Sequence, residues 1–133
     1  MRLQAGPAIF ATSAVALLSA AFVAHGATPA ATPADTAPPA AFAQCRGCHT
    51  VTKGGASGIG PNLFGTLDAP AGSKPGYTYS PAMKGARIRW DKAKLDAYLA
   101  SPRALVPGTK MAISGVKNPA QREAIIAYLA TLK

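Results

Sequence analysis

The chain has 133 residues, a length that suggests one domain. It carries 14 Lys and Arg against 5 Asp and Glu, a net charge of +9, which suits an acidic partner. Nucleic acid is disfavoured, because the basic residues are scattered and the four tyrosines show no stacking-platform pattern.

The N-terminal residues read as a secretory signal. Met1-Arg2 is a short positive start, residues 7–24 are almost wholly apolar, and Ala24-His25-Gly26 offers small residues at a cleavage site. Residues 1–26 are the predicted signal peptide, and the expected location is periplasmic. The alternative is an uncleaved anchor through residues 7–24, a run just long enough to span a bilayer. Residues 27–39 are nearly all Ala, Pro and Thr, and read as a disordered linker. The folded domain is then residues 40–133. Much of its apolar content is alanine, so its own core is thin, and a domain of this size often needs a staple, metal or cofactor.

Within that domain no segment alternates with period two, so no strand is expected. A first short helix is predicted from about Pro39 to Gly47, with proline tolerated in the first turn. A second starts at Asp91, a good N-cap, and is stopped by Ser101-Pro102; Leu95, Tyr98 and Leu99 share one face. A third begins at Asn118, with Pro119 at its first position and Gln121 where a capping-box partner belongs. Ile125, Ile126, Leu129 and Leu132 form its apolar stripe. Between the first two helices lie more than forty residues rich in Gly and Pro. A loop that long is suspect unless it wraps something.

"CRGCHT", residues 45–50, holds both cysteines beside a histidine. A redox pair needs no histidine and normally follows a βαβ pattern. A structural zinc site wants four protein ligands, and the exported chain offers two Cys and one His. A nucleophilic Cys–His pair is disfavoured, because adjacent helical positions point in different directions. C-x-x-C-H is the direct signature of covalent haem c attachment. Cysteines at i and i+3 share a helix face and can reach two vinyl groups of one porphyrin, with the histidine projecting to the iron. The macrocycle would also supply the apolar surface that the core lacks. With His25 in the signal, the second axial ligand falls to Met83 or Met111, and the residues alone leave that choice open. "KGGASGIG" has no Lys-Ser/Thr pair after it and reads as a turn region, not a phosphate loop.

From Cys45 onward the chain resembles a class I cytochrome c. "CRGCHT", "GIGPNLFG", "KPGYTYSPAMKG", "RW", "LDAYLASPRALVPGTKM" and "REAIIAYL" follow in the family's order and spacing over about ninety residues. The resemblance implies a small all-α fold of helices and long loops wrapped around one haem. It implies that Met111, in "PGTKM", is the distal ligand opposite His49, and that Met83 is a core or haem-edge residue. It implies that the Pro61 carbonyl accepts the His49 ring N–H. Tyr79 and Trp90 would hydrogen-bond a haem propionate, Tyr98 would sit beside the Met111 sulfur, and Thr109 would help cover a propionate. Two departures remove polar partners from the propionate end: Ala69 stands where the family often has arginine, and Met83 where it has asparagine. Pro38 stands where a glycine usually packs against the last helix, which implies a looser contact.

The expected function is one-electron transfer by a monomer, between membrane respiratory or photosynthetic redox complexes. Lys53, Lys84, Lys110 and Arg103 are candidates for a positive rim that docks on acidic faces of a cytochrome complex or terminal oxidase. The rival is a haem enzyme of peroxidase type. It would need an open distal site with a catalytic base, and the exported chain has no second histidine.

Overall fold

The structure, a computed structural model, describes residues 37–133. The predicted signal peptide and most of the predicted linker lie outside the described residues. Among those described, the fold is all-α, and the only sheet-like pairing is an isolated antiparallel bridge between Pro70 and Arg89. No described helix is long and apolar enough to cross a membrane.

The first predicted helix is two pieces. Ala40–Phe42 is a 3-10 turn that runs into α1 (Ala43–Arg46), with Pro39 as N-cap and Gly47 as C-cap. Pro39 is extended (ψ 155°) and offers no side-chain cap, so the chain tightens into i→i+3 bonding at Phe42 N–H to Pro39 O, 2.8 Å. α3 (Lys92–Ala100) starts as expected: an Asp91 carboxylate oxygen accepts the Lys94 N–H at 2.7 Å. Its Leu95, Tyr98 and Leu99 are buried. α5 (Pro119–Thr131) is capped by the Asn118 carboxamide oxygen, which accepts from Ala120 N (2.9 Å) and Gln121 N (3.4 Å). The expected reciprocal bond from the Gln121 side chain is not among the hydrogen bonds of the described residues, since Asn118 alone serves two N–H groups.

Two helices were not predicted. α2 (Pro81–Gly85) interrupts the long loop and is capped by Ser80 Oγ, which accepts the Met83 N–H at 3.1 Å. α4 (Pro102–Leu105) begins where α3 stops. Ser101 (φ −157°) ends one helix and starts the other, and Pro102 occupies a first turn where its missing N–H costs nothing.

α3 packs on α5 and α4, and α5 packs on Ala40–Phe42. The Arg122 guanidinium links α5 to α3 through Asp96 (Nε to Oδ1, 2.7 Å) and also donates to the Val116 and Lys117 carbonyls, both at 3.0 Å. Gly115 lets the chain before α5 pass against the end of α3. Its φ is +106°, and a Cβ there would run into the Ala100 carbonyl. The looser contact expected from Pro38 is not seen at the neighbouring Phe42. That ring is fully buried, edge-on to Tyr128 with centroids 4.7 Å apart.

The long loop is held by few groups. Asn62 is buried; its Nδ2 donates to Thr52 O and Gly55 O, both at 2.8 Å, and its Oδ1 accepts the Phe64 N–H at 2.8 Å. Further on, Asp68 N–H donates to Trp90 O, Trp90 N–H to Ala69 O and Ala71 N–H to Ile88 O, which ties the two ends of the segment around α2. Phe42 is the side chain that locks the N-terminal turn to α5. Phe42→Ala should destabilise the protein by about 3–5 kcal/mol, as a fully buried aromatic truncated in a packed site does. Denaturant unfolding checks this; a loss below about 1 kcal/mol would show that the site collapses around the change.

Candidate haem-binding site

Cys45 lies in α1, but Cys48 and His49 lie just beyond its end. Helical bonding still reaches the histidine. The Cys45 carbonyl accepts from Cys48 N (3.2 Å) and His49 N (3.0 Å), so the two thiols and the imidazole stay on one turn. Both cysteines are free thiols, Cys45 half-buried and Cys48 exposed. Burial pushes the Cys45 thiol up, and the neighbouring Cys48 adds to the rise.

The imidazole is fixed from behind. His49 Nδ1 is 2.7 Å from the Pro61 carbonyl oxygen. A carbonyl only accepts, so Nδ1 carries the proton and Nε2 keeps its lone pair for a metal. Gly60 makes room for the ring: a Cβ there would lie 2.7 Å from Nδ1 and closer still to Cε1.

One cavity collects all nine residues expected to bind the cofactor: Cys45, Cys48, His49, Pro61, Tyr79, Trp90, Tyr98, Thr109 and Met111. Met83 lines it too, so cavity lining alone does not separate the two methionines. Their settings differ. Met83 is buried in α2, whereas Met111 is half-buried in the loop after α4. That loop is pinned at three points. The Met111 N–H donates to Thr109 Oγ1 (3.3 Å), the Tyr98 and Thr109 hydroxyls share a 2.6 Å hydrogen bond, and Lys110 Nζ donates to Thr78 O (2.8 Å). Tyr98 therefore engages Thr109. Burial raises the Tyr98 phenol, the Thr109 bond opposes the rise, and Tyr77 adds to it. Burial also raises Tyr79, opposed by a hydrogen bond from the Lys74 backbone, with a further rise from Tyr77.

The rest of the wall is mostly carbon, including Phe42, Leu63, Leu95, Leu99, Ile125 and Leu129. Two thiols, an imidazole with a free Nε2, a thioether and an apolar wall are a donor set that fits a covalently attached haem. Of the four expected rim cations, all exposed, only Lys110 lines the cavity; Lys53, Lys84 and Arg103 do not. Of the wall residues not singled out from the sequence, three bear on the cavity's polar edge. Ile59 is the one large hydrophobic side chain among the described residues that is strongly exposed, at 78 %. Tyr77 donates its hydroxyl to the Ile59 carbonyl at 3.0 Å and stacks edge-on against Tyr79. Lys74 is the third. No sequence signal marks a lone loop lysine or tyrosine as a wall residue.

Comparison with known proteins gives the same picture over the described segment. Residues 39–133 match the cytochrome c family. Cytochrome c2 of Rhodomicrobium vannielii is 49 % identical over 90 residues, covering 68 % of this chain and 72 % of the relative. Cytochrome c2 iso-1 of Magnetospirillum molischianum is 46 % identical over 99 residues, covering 73 % and 98 %. Among solved structures, cytochrome cH from Methylobacterium extorquens is similar, with a TM-score of 0.65 and 43 % identity over 68 % of this chain and 91 % of that one. The attachment motif, the cavity it opens into and these matches together make the chain a member of the cytochrome c family.

Proposed function

We propose that the protein is a one-electron carrier that holds a single haem c. The observation that carries this reading is the convergence of C-x-x-C-H and a pinned methionine loop on one apolar cavity in a chain of the cytochrome c family. A bound haem supplies an iron that alternates between two oxidation states one electron apart. The chain's residues do the rest. Cys45 and Cys48 would hold the ring through thioether links. Pro61 fixes the His49 tautomer so that Nε2 binds iron. Met111 would hold the iron through its thioether sulfur, and the Thr109–Tyr98 hydrogen bond holds its loop. With His49 and Met111 both holding the iron, no position would remain for a substrate, which suits a carrier rather than an enzyme.

Exposed Lys53, Lys84, Lys110 and Arg103 suit docking on acidic faces of membrane redox complexes. Export to the periplasm suits the N-terminal signal pattern and a covalent cofactor that is not lost by dissociation.

The ligand assignment gives a direct test. A thioether favours Fe(II) over harder ligands, and axial-ligand choice spans about 0.8 V across haem proteins. Met111→Ala should lower the reduction potential substantially, abolish the weak long-wavelength sulfur-to-iron absorption of the oxidised protein, and admit cyanide. Met83→Leu should leave all three nearly unchanged. A redox titration with optical spectroscopy checks this; loss of the band in the Met83 variant alone would reverse the assignment. The docking reading has its own test. Exposed charges are screened over about 8–10 Å at physiological salt. Bimolecular electron-transfer rates with an acidic redox protein should fall steadily as salt rises. A flat or rising profile would remove the basic face from the account.

A further inference from the structure

Two cations line the cavity wall without an anionic partner among the described residues, exposed Lys110 and the more buried Lys74. Lys74 Nζ donates to the Phe64 carbonyl (2.5 Å) and the Gly65 carbonyl (2.7 Å). An ammonium has three N–H donors, so one remains to be used. The side chain is half-buried and lines the cavity. Burial lowers its pKa, the mark of a cation that has lost water without gaining a counter-charge. The single salt bridge among the described residues is Arg122–Asp96, so none of their carboxylates lies within 4.0 Å of Lys74. Beyond the attachment motif, the titratable groups on the wall are Tyr77, Tyr79, Tyr98 and Lys110; none is acidic.

Two neighbours show what belongs there. Lys74 and Tyr79 line the same cavity, and the Lys74 backbone acts to lower the Tyr79 phenol against the rise that burial causes. Ala69 and Met83 line the same cavity, and neither side chain carries a charge or a hydrogen-bond donor. A partly desolvated ammonium that already spends two donors on carbonyls gains most from an anion opposite its third N–H. The haem's own carboxylate arms are the anions that such a cavity receives.

We propose that Lys74 is the counter-cation of a haem propionate, reaching from the loop before Pro75 to supply the charge that Ala69 and Met83 do not. This rests on the haem reading above. Lys74 is a positioning and tuning residue, not an iron ligand. Its charge keeps the propionate ionised and offsets the propionate's field at the iron.

The test uses the haem-loaded protein. Denaturing mass spectrometry of the wild type first establishes one covalent haem; without it the carrier reading fails and Lys74 is not at issue. With haem present, the midpoint potential is followed against pH. The wild type should be flat from about pH 5 to 8, because a propionate paired with a cation stays ionised across that range. Lys74→Gln keeps amide donors for the carbonyls and removes the charge. The unpaired propionate then has a raised pKa, and its negative charge favours Fe(III). The potential of this variant should lie below the wild type at pH 8 and climb back as acid protonates the carboxylate. Lys74→Arg should restore the flat profile. A Lys74→Gln profile that overlays the wild type would overturn the proposal, even if stability fell, because bonding two carbonyls alone does not move the potential.

A second measurement needs no variant. In the wild-type haem protein, nitrogen-detected NMR should show the Lys74 ammonium titrating above the ordinary lysine value, as a paired cation does. Titration below that value, as burial alone dictates, would equally overturn it.

Discussion

An apolar ring must be buried by a chain too short to build a full core without it. That constraint orders the rest of the structure. The described residues bury twelve hydrophobic side chains, and several of them, including Phe42, Trp90, Tyr98 and Ile125, also face the cavity. The same side chains thus serve as protein core and cofactor wall. A long loop rich in Gly and Pro is tolerable on this basis, because it closes over a rigid object rather than over itself. Asn62, the Pro70–Arg89 bridge and the short α2 fix its path with few residues.

The polar groups at the cavity follow from the same constraint. Each has to be satisfied away from bulk water, and most are placed by loops rather than by a long helix. Pro61 sets the His49 tautomer through a backbone carbonyl, which no side-chain substitution at that position removes. Tyr98, on α3, reaches Thr109 in the ligand loop, so helix packing and loop position are coupled through one hydroxyl pair. Lys74 crosses ten residues of sequence to the Phe64 carbonyl. The α3–α5 contact, closed by Arg122 and Asp96, with Gly115 letting the chain before α5 pass against the end of α3, is the frame against which these loops are set.

How far the sequence could be read depended on length scale. α3 and α5 were legible because nine and thirteen residues carry a cap and a repeated apolar face. α2 and α4 were not, because five and four residues show no period. Their only signals were Ser80-Pro81 and Ser101-Pro102, and the second was read just as a stop. The first helix was placed, but its 3-10 start depends on Pro39 lacking a cap, a detail that composition does not reveal. At the site, residues within contiguous motifs were legible. Lys74 was not, because its role depends on which distant carbonyls and which cavity end it meets. The sequence pointed to missing polar partners at Ala69 and Met83, while the location of a replacement is a tertiary fact.

The central claim is that the haem completes the core. The most direct measurement compares thermal unfolding, by far-ultraviolet circular dichroism, of the haem-loaded protein with that of a Cys45→Ser/Cys48→Ser chain prepared without haem. The loaded protein should melt in one cooperative transition. The haem-free chain should have reduced helix content and no cooperative transition, since the walls of the cavity then have nothing to pack on. A haem-free chain that kept native helix content and melted cooperatively at a similar temperature would contradict the account.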